Sequence, residues 1–225
     1  MSIDEQKVIQ INLGMVNAYL IKSKRPILVD TGLHGSADKI LKKIISEGIN
    51  PKDISLIVIT HAHSDHTGSL KELMEATGAK VALGKTDSEY LAKGLNFPVY
   101  SNKILFKILA MLLPKRSMKY GVKADITVES ETDLAEYGIN GRIVATPGHT
   151  DGSISIVLDS GEAIVGDLLG GGFVRNKKIG YPHFIHNQDI LEESVKKIIG
   201  LNPKIIYTGH GGPFDIETAR KKFGK

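Results

Sequence analysis

The chain has 225 residues, of which 41% are hydrophobic and 24% charged, and it contains no cysteine. This composition excludes a disordered or fibrous protein, and the absence of thiols excludes a disulfide framework and a cysteine nucleophile. A net charge of +4 without a dense lysine and arginine block argues against nucleic acid as a partner.

Short β-type runs alternate with amphipathic helical patterns along the chain. In the first half, strands are predicted at residues 8–13, 16–21, 27–29, 54–59 and 81–83, and helices at 37–45 and 67–76. In the second half, strands are predicted at 142–145, 153–158, 163–165 and 205–207, with helices at 190–199 and after Pro213. Sheets covered by helices, an α/β (α+β) sandwich, follow from this order, and residues 1–225 are predicted to form a single domain.

The segment 91–123 interrupts this order with an apolar run at 104–113, then Pro114 and a basic stretch up to Lys123. A helical insertion is predicted here, and three interpretations of it stay open. It packs into the core or a homodimer interface, forms a lid over an apolar substrate pocket, or rests on a membrane surface. Because no apolar run approaches the roughly 20 residues of a transmembrane segment and residues 1–7 lack a secretory signal, we expect a cytoplasmic protein.

Residues 60–68, with the sequence THAHSDHTG, hold the strongest functional signal in the chain. His61, His63, Asp65 and His66 place three imidazoles and one carboxylate within six consecutive positions, directly after an apolar run. Ordinary packing has no use for this density of metal ligands. Imidazole and carboxylate together suit zinc, iron or manganese. The run therefore predicts a metal site.

Three further candidate ligands each follow an apolar strand and lie in a loop marked by glycine. His149 lies in TPGHT, Asp167 ends AIVGD, and His210 lies in YTGHGG. Functional groups collect in loops at the ends of strands. The repeated placement favours a joint role for the three residues.

This ordered set of motifs, HxHxDH, TPGH, an aspartate after a strand and a final GH, resembles the metallo-β-lactamase superfamily from about residue 8 to residue 213. The resemblance implies a four-layer αββα sandwich with a site for two Zn²⁺ ions, or for iron or manganese, on one edge of the sheets. It implies that each ion has its own three ligands and that one carboxylate bridges both ions: His61, His63 and His149 for the first, Asp65, His66 and His210 for the second, and Asp167 as the bridge.

Four residues outside this set are candidates for supporting roles. Asp30, in the sequence VDTG, also matches a family pattern, and a carboxylate behind a metal-bound imidazole fixes the orientation of the ring. Tyr181, His183 and His186 follow Asp167 in a loop that could reach the site, and they are candidates for a substrate contact, with surface or packing roles as the alternative.

The resemblance implies a hydrolase in which a hydroxide bridging two zinc ions attacks the substrate. Asp65 is the carboxylate nearest to that hydroxide, so we expect it to be a catalytic residue that moves protons. The expected substrate is a small-molecule ester, thioester or lactone. Asp167 argues against a true β-lactamase, because those enzymes usually lack that carboxylate. A phosphodiesterase or nuclease, and a mononuclear iron persulfide dioxygenase, stay open as alternatives.

Overall fold

Two six-stranded mixed sheets form the centre of the computed structural model, which describes residues 6–101, 121–171 and 178–224. In the first sheet the strands follow their chain order: β1 (Lys7–Asn12), β2 (Asn17–Lys22), β3 (Ile27–Val29), β4 (Leu56–Val58), β5 (Lys80–Gly84) and β6 (Ile126–Val128). In the second sheet they run from β7 at one edge to β12 at the other: β7 (Glu131–Asp133), β8 (Gly141–Ala145), β9 (Ile154–Leu158), β10 (Glu162–Ile164), β11 (Ile205–Tyr207) and β12 (Phe214–Asp215).

Helices cover the outer face of each sheet. The α-helices in the described residues are α1 (Ala37–Ser46), α2 (Ser64–Thr67), α3 (Leu70–Thr77), α4 (Lys85–Ala92), α5 (Gln188–Gly200) and α6 (Ile216–Phe223). Side-chain caps fix the starts of the last two, because Asn187 accepts a hydrogen bond from the Ile190 amide and Asp215 accepts one from Thr218. None of these helices has the length and apolar character needed to cross a bilayer.

The alternation of side chains along the strands divides the core into layers. In β2, Tyr19 and Ile21 point into the space between the sheets, whereas Leu20 packs outward with Ile40 of α1. On the other side, β9 turns Ile156 inward, and a separate apolar cluster joins the outer face of the second sheet to α5 and α6. The described residues therefore confirm the predicted four-layer αββα sandwich.

Strand direction places the loops that matter for function at one edge. In the first sheet, β3, β4 and β5 run parallel to one another. In the second, β10 is parallel to β11, and β8 runs the same way because both β8 and β10 are antiparallel to β9. The segments that follow β4, β8, β10 and β11, which are loops and the short helix α2, carry all seven candidate ligands. These loops meet at the same edge of the sandwich.

The structure differs from the predicted elements in a few places. The run 54–59 is a strand only at Leu56–Val58, because Ile54 ends the 3₁₀ turn Pro51–Asp53. The predicted helix at 67–76 corresponds to α3, which begins only at Leu70, and a separate helix, α2, covers Ser64–Thr67 and makes the second half of the HxHxDH motif helical. The sequence analysis missed α4, β6, β7 and β12. The apolar run 104–113 lies outside the described residues.

Candidate metal centre

The HxHxDH motif changes conformation halfway along its length. His61 and His63 lie in the loop after β4, and Asp65 and His66 lie in the single turn of α2. The extended backbone of His63 precedes that turn, and its carbonyl accepts hydrogen bonds from the His66 amide and the Thr67 side chain. This turn directs the two halves of the motif to neighbouring positions in one site.

Three histidines form the first candidate ligand group. The rings of His61, His63 and His149 stand nearly perpendicular to one another, with centroids 4.6–4.9 Å apart. Nε2 of His149 lies 3.1 Å from Nδ1 of His63. Two nitrogens bound to one tetrahedral zinc would be about 3.3 Å apart, given bonds of about 2.0–2.1 Å. The first group therefore has the spacing of ligands to a single ion.

A second group of donors adjoins the first. Oδ2 of Asp65 lies 3.3 Å from Nε2 of His210 and 3.8 Å from Nε2 of His66. Asp167 stands between the two groups: its carboxylate is 3.5 Å from Nε2 of His66, 3.3 Å from Nε2 of His210, and 3.8 Å from Nε2 of His149. The structure thus brings together all seven residues that the sequence analysis named as candidate ligands.

Several of these donor atoms are buried without a hydrogen-bond partner in the described residues. They include Nε2 of His61, Nε2 of His66 and Oδ1 of Asp167. Leaving a buried polar atom unsatisfied costs about 1–3 kcal/mol, so three together at one place are unusual in a native protein. Cations bound at this position would satisfy all three. The chemistry of the donor set and its orphaned atoms therefore fit a metal centre.

A buried carboxylate fixes the ring of His66. Oδ2 of Asp30 lies 2.8 Å from Nδ1 of His66, which leaves Nε2 directed into the site. The same carboxylate accepts hydrogen bonds from the Thr60 amide and hydroxyl. Asp30 has a φ of 59°, a left-handed conformation that is uncommon outside glycine, so the fold holds this residue against a local preference. The structure thus places Asp30 directly behind a candidate metal ligand, and its supporting role stays a prediction.

Backbone carbonyls fix two other rings in the same way. Nδ1 of His149 donates to the carbonyl of Phe184 at 2.7 Å, and Nδ1 of His210 donates to the carbonyl of Met15 at 2.7 Å. In both rings Nε2 is thereby directed toward the other donors of the centre: that of His149 lies 3.1 Å from Nδ1 of His63, and that of His210 lies 3.3 Å from the Asp65 carboxylate. The sequence analysis missed Met15 and Phe184, and no residue-type signal exists for a contact that every residue's carbonyl can make.

The electrostatic environment divides the histidines into two kinds. Burial lowers the pKa of His61 and, together with His149, lowers the pKa of His63 to about 3. For His66, burial again lowers the pKa, but Asp30 and the other nearby carboxylates outweigh it and raise the pKa to about 9. Burial also opposes the charged form of His210, yet Asp167 raises the pKa of that ring to about 11. Neutral imidazoles with available lone pairs thus form the first group, and charge-paired rings belong to the second.

A glycine makes the second group possible. A Cβ atom at Gly209 would lie 2.2 Å from Oδ1 of Asp167 and 2.8 Å from the His66 ring. Any larger residue would displace two candidate ligands, which explains why a glycine directly precedes His210 in the sequence motif.

Five of the seven candidate ligands line a cavity of about 220 Å³. Its wall away from the ligands is mainly apolar and is formed by Met15, Val16, Leu33, Val99 and Phe184, with Ser64 and Asn96 as polar members. Met15 and Leu33 are 58% and 42% exposed, which places both at the mouth of the cavity. Large apolar side chains exposed beside a polar centre are typical of a binding site for an organic molecule.

The three residues predicted to contact substrate lie in different places. Tyr181 and His183 line a small extension of the cavity beside Asp167 and His210. His186 is not among the described residues that line either space. Its ring pairs with Asp151, with 2.6 Å between Nδ1 and Oδ1, and its amide donates to the carbonyls of Gly148 and His149. His186 therefore contacts the loop that carries His149 and does not face the cavity.

Comparisons with known proteins agree with this fold and site. A family model described as the metallo-beta-lactamase superfamily matches residues 11–210. The probable metallo-hydrolase YqgX of Bacillus subtilis is 30% identical over 207 residues, covering 90% of this chain and 88% of the relative. The probable metallo-hydrolase YflN of the same organism is 28% identical over 204 residues, covering 83% and 75%.

Two solved structures show the same fold. ST1585 from Sulfolobus tokodaii, an archaeal metallo-beta-lactamase superfamily protein, aligns with a TM-score of 0.69 and 24% identity over 98% of this chain and 86% of its own. The BLEG-1 B3 metallo-beta-lactamase aligns with a TM-score of 0.72 and 22% identity over 97% and 98%. At these sequence identities the two structures show similarity of fold alone. With the family model spanning most of its length, the chain belongs to the metallo-β-lactamase superfamily.

Proposed function

We propose that this protein is a metal-dependent hydrolase that cleaves a small ester, thioester or lactone at a centre of two zinc ions. The observation that carries the proposal is the cluster of seven imidazole and carboxylate groups, five of which line one cavity, with buried donor atoms that no other described residue satisfies. The relatives described as probable metallo-hydrolases support hydrolysis as the reaction class.

Two ligand groups support a binuclear rather than a mononuclear centre. His61, His63 and His149 would hold one ion, because their donor atoms lie within 4.8 Å of one another. Asp65, His66 and His210 form an equally compact second set. Asp167 reaches toward rings of both sets with its two oxygens, which suits a carboxylate shared by two ions. Imidazole and carboxylate without thiolate are ligands that zinc accepts in catalytic sites.

When bound, two zinc ions would supply Lewis acidity and a water that is deprotonated near neutral pH. The protein's own residues would position the substrate and handle the proton. Burial raises the pKa of Asp65, but the neighbouring His66 and His210 more than offset this and hold the pKa below its usual range, so this carboxylate is ionised at neutral pH. Its side chain is 31% exposed and lines the cavity, where it would take a proton and release it to solvent.

The shape and polarity of the cavity support an uncharged organic substrate. In the described residues the wall opposite the ligands presents Met15, Leu33, Val99 and Phe184, which would pack against an acyl or alkyl group. Tyr181 and His183 would contact the polar part of the substrate, since they lie beside Asp167 and His210.

A hydrolysis panel tests the proposal. The protein is stripped of metal, reloaded with two equivalents of zinc, and assayed with chromogenic esters, thioesters, lactones and a phosphodiester. We expect turnover of a carboxylic ester, thioester or lactone that chelation abolishes and zinc restores. Turnover of the phosphodiester alone would replace the proposal by a phosphodiesterase. Activity only with one iron per chain and a persulfide would replace it by a dioxygenase.

A further inference from the structure

The carboxylate of Asp87 is completely buried, yet it contributes to none of the chemistry described above. It lies in the first turn of α4 and accepts three hydrogen bonds from other parts of the chain. Oδ2 accepts from the Ala62 amide at 2.7 Å and from the Thr150 hydroxyl at 2.9 Å, and Oδ1 accepts from the Gly152 amide at 2.8 Å. A carboxylate buried with this many donors is costly to retain for packing alone.

The three donors belong to the two loops that hold the first ligand group. Ala62 stands between His61 and His63 in the loop after β4 of the first sheet. Thr150 follows His149 in the loop between β8 and β9 of the second sheet. One side chain therefore connects ligand loops that come from different sheets. The Thr150 hydroxyl also lies 2.7 Å from the Ser153 hydroxyl, so the group that donates to Asp87 is hydrogen-bonded within its own loop.

The close contact between the start of α4 and the loop between β8 and β9 depends on a glycine on each side. A Cβ atom at Gly152 would lie 2.4 Å from the amide nitrogen of Asp87 and 2.5 Å from its Oδ1. A Cβ atom at Gly84, which precedes α4, would lie 1.9 Å from the carbonyl oxygen of Gly152. The absence of both side chains lets the start of α4 sit directly against the second loop. The contact between Asp87 and the second loop therefore depends on backbone packing at these two glycines as well as on the carboxylate.

We propose that Asp87 is a positioning residue that sets the distance between the His61–His63 pair and His149 by joining their loops. The inference rests on the proposed function, in which these histidines hold one metal ion. Burial raises the pKa of Asp87 to about 6, and the three donors keep it ionised at neutral pH, as an acceptor for all of them. Without the carboxylate, the first ligand group would lose its spacing while each histidine remained present.

The Asp87→Asn variant tests this role, because an amide keeps the volume but turns its NH2 toward an N–H or O–H donor. Asp125→Asn is the matched control: Oδ2 of Asp125 also accepts from a backbone amide, that of Val81, at the opposite end of β5. Metal-free proteins are titrated with Co²⁺ as the probe, and the visible spectrum and the affinity of each of two equivalents are recorded. We expect Asp87→Asn to weaken one equivalent by roughly 10–100-fold and to change its spectrum. Asp125→Asn should match the unmodified protein.

Thr150 supplies a second pair of variants should Asp87→Asn fail to fold. Thr150→Val removes one of the three hydrogen bonds at nearly constant shape, and Thr150→Ser retains it. We expect a weaker first equivalent of Co²⁺ in the valine variant and rescue in the serine variant. Unchanged affinity and spectrum in a folded Asp87→Asn protein, or in Thr150→Val, would overturn the inference alone. Failure of the unmodified protein to bind Co²⁺ would overturn the proposed function, and this inference with it.

Discussion

Oδ2 of Asp30 lies 2.8 Å from Nδ1 of His66, and neither side chain is reached by solvent. The pair joins the residue after β3 to the last ligand of the HxHxDH motif. Its position makes the orientation of the His66 ring dependent on a carboxylate that does not itself face the cavity.

Replacing Asp30 with asparagine should lower the zinc affinity of the second ligand group by roughly 10–100-fold, because an amide NH2 would face the ring N–H. The measurement is competition for zinc against a chromogenic chelator. Asp38→Asn, on the exposed side of α1, is the control and should bind like the unmodified protein. Equal zinc affinity in Asp30→Asn and the control would show that the pair does not support the ligand.

Gly209→Ala should remove metal from the second ligand group, since the new methyl group would overlap Asp167 and the His66 ring. Elemental analysis after zinc loading should give about one ion per chain in place of two. Gly200→Ala is the control: nothing lies within 4 Å of a Cβ there, and it ends α5, where alanine is favoured over glycine by about 0.5–1 kcal/mol. Full metal content in Gly209→Ala would contradict the proposed role of the second group.

Metal uptake should release protons and become tighter as the pH rises. In the metal-free protein, the raised pKa values of His66, about 9, and His210, about 11, keep both rings protonated at pH 7. A cation must displace those protons, so the apparent affinity should increase up to tenfold per pH unit for each proton displaced. Titration calorimetry at pH 7 in two buffers of different ionisation enthalpy measures the number released. A value of zero would contradict the charge pairing described for these rings.

Asp65→Asn should preserve the fold and lose most turnover. An amide cannot accept the proton, and general acid–base groups typically contribute about 10²–10⁴-fold to rate. The readouts are kcat on a chromogenic ester, metal content and thermal unfolding, with the exposed Asp189→Asn of α5 as the control. Loss of kcat with two zinc ions retained would separate the proton-transfer role from the ligand role. Turnover like that of the control would refute the proposed mechanism.

Leu33→Asn should discriminate between substrates by chain length. Leu33 lines the mouth of the cavity, and each buried methylene of an acyl chain contributes about 0.8 kcal/mol. We expect kcat/KM to fall about fivefold more for an octanoyl ester than for an acetyl ester, a difference of about 1 kcal/mol. Leu201→Asn, at a similarly exposed position at the end of α5, should affect neither. Equal losses for both esters would exclude an acyl-binding role for this wall.

The sequence was sufficient to predict the layers and the set of residues that meet at the site. The alternation of Ile9 and Ile11 with polar residues in β1 and the apolar stripe of α1 reveal buried faces, and strand ends that share a direction share an edge. The grouping of the seven candidate ligands followed from the resemblance of the ordered motifs to the metallo-β-lactamase superfamily, because residue spacing alone does not assign a ligand to one ion or the other. Helix α4 could not be predicted, because Leu91 is the one apolar residue that it buries and no stripe results.

The connections behind the ligands could not be predicted either. Asp87 follows no motif, and its partners are two backbone amides and one hydroxyl brought together by the pairing of β5 with β4 and the stacking of the sheets. No sequence pattern indicates that the carbonyl of Met15 accepts a hydrogen bond from His210 either. Such contacts depend on tertiary geometry, to which residue type contributes little.

The candidate ligands are divided between the sheets: the HxHxDH motif follows β4, and His149, Asp167 and His210 follow strands of the second sheet. A metal ion bound by ligands from both sheets would therefore cross-link the two halves of the sandwich. The apolar layer that includes Val58 and Ile156 is then a spacer whose thickness fixes how far apart the two halves of the centre stand. Side chains in that layer, which touch neither metal nor substrate, would thereby set the geometry at which the chemistry operates.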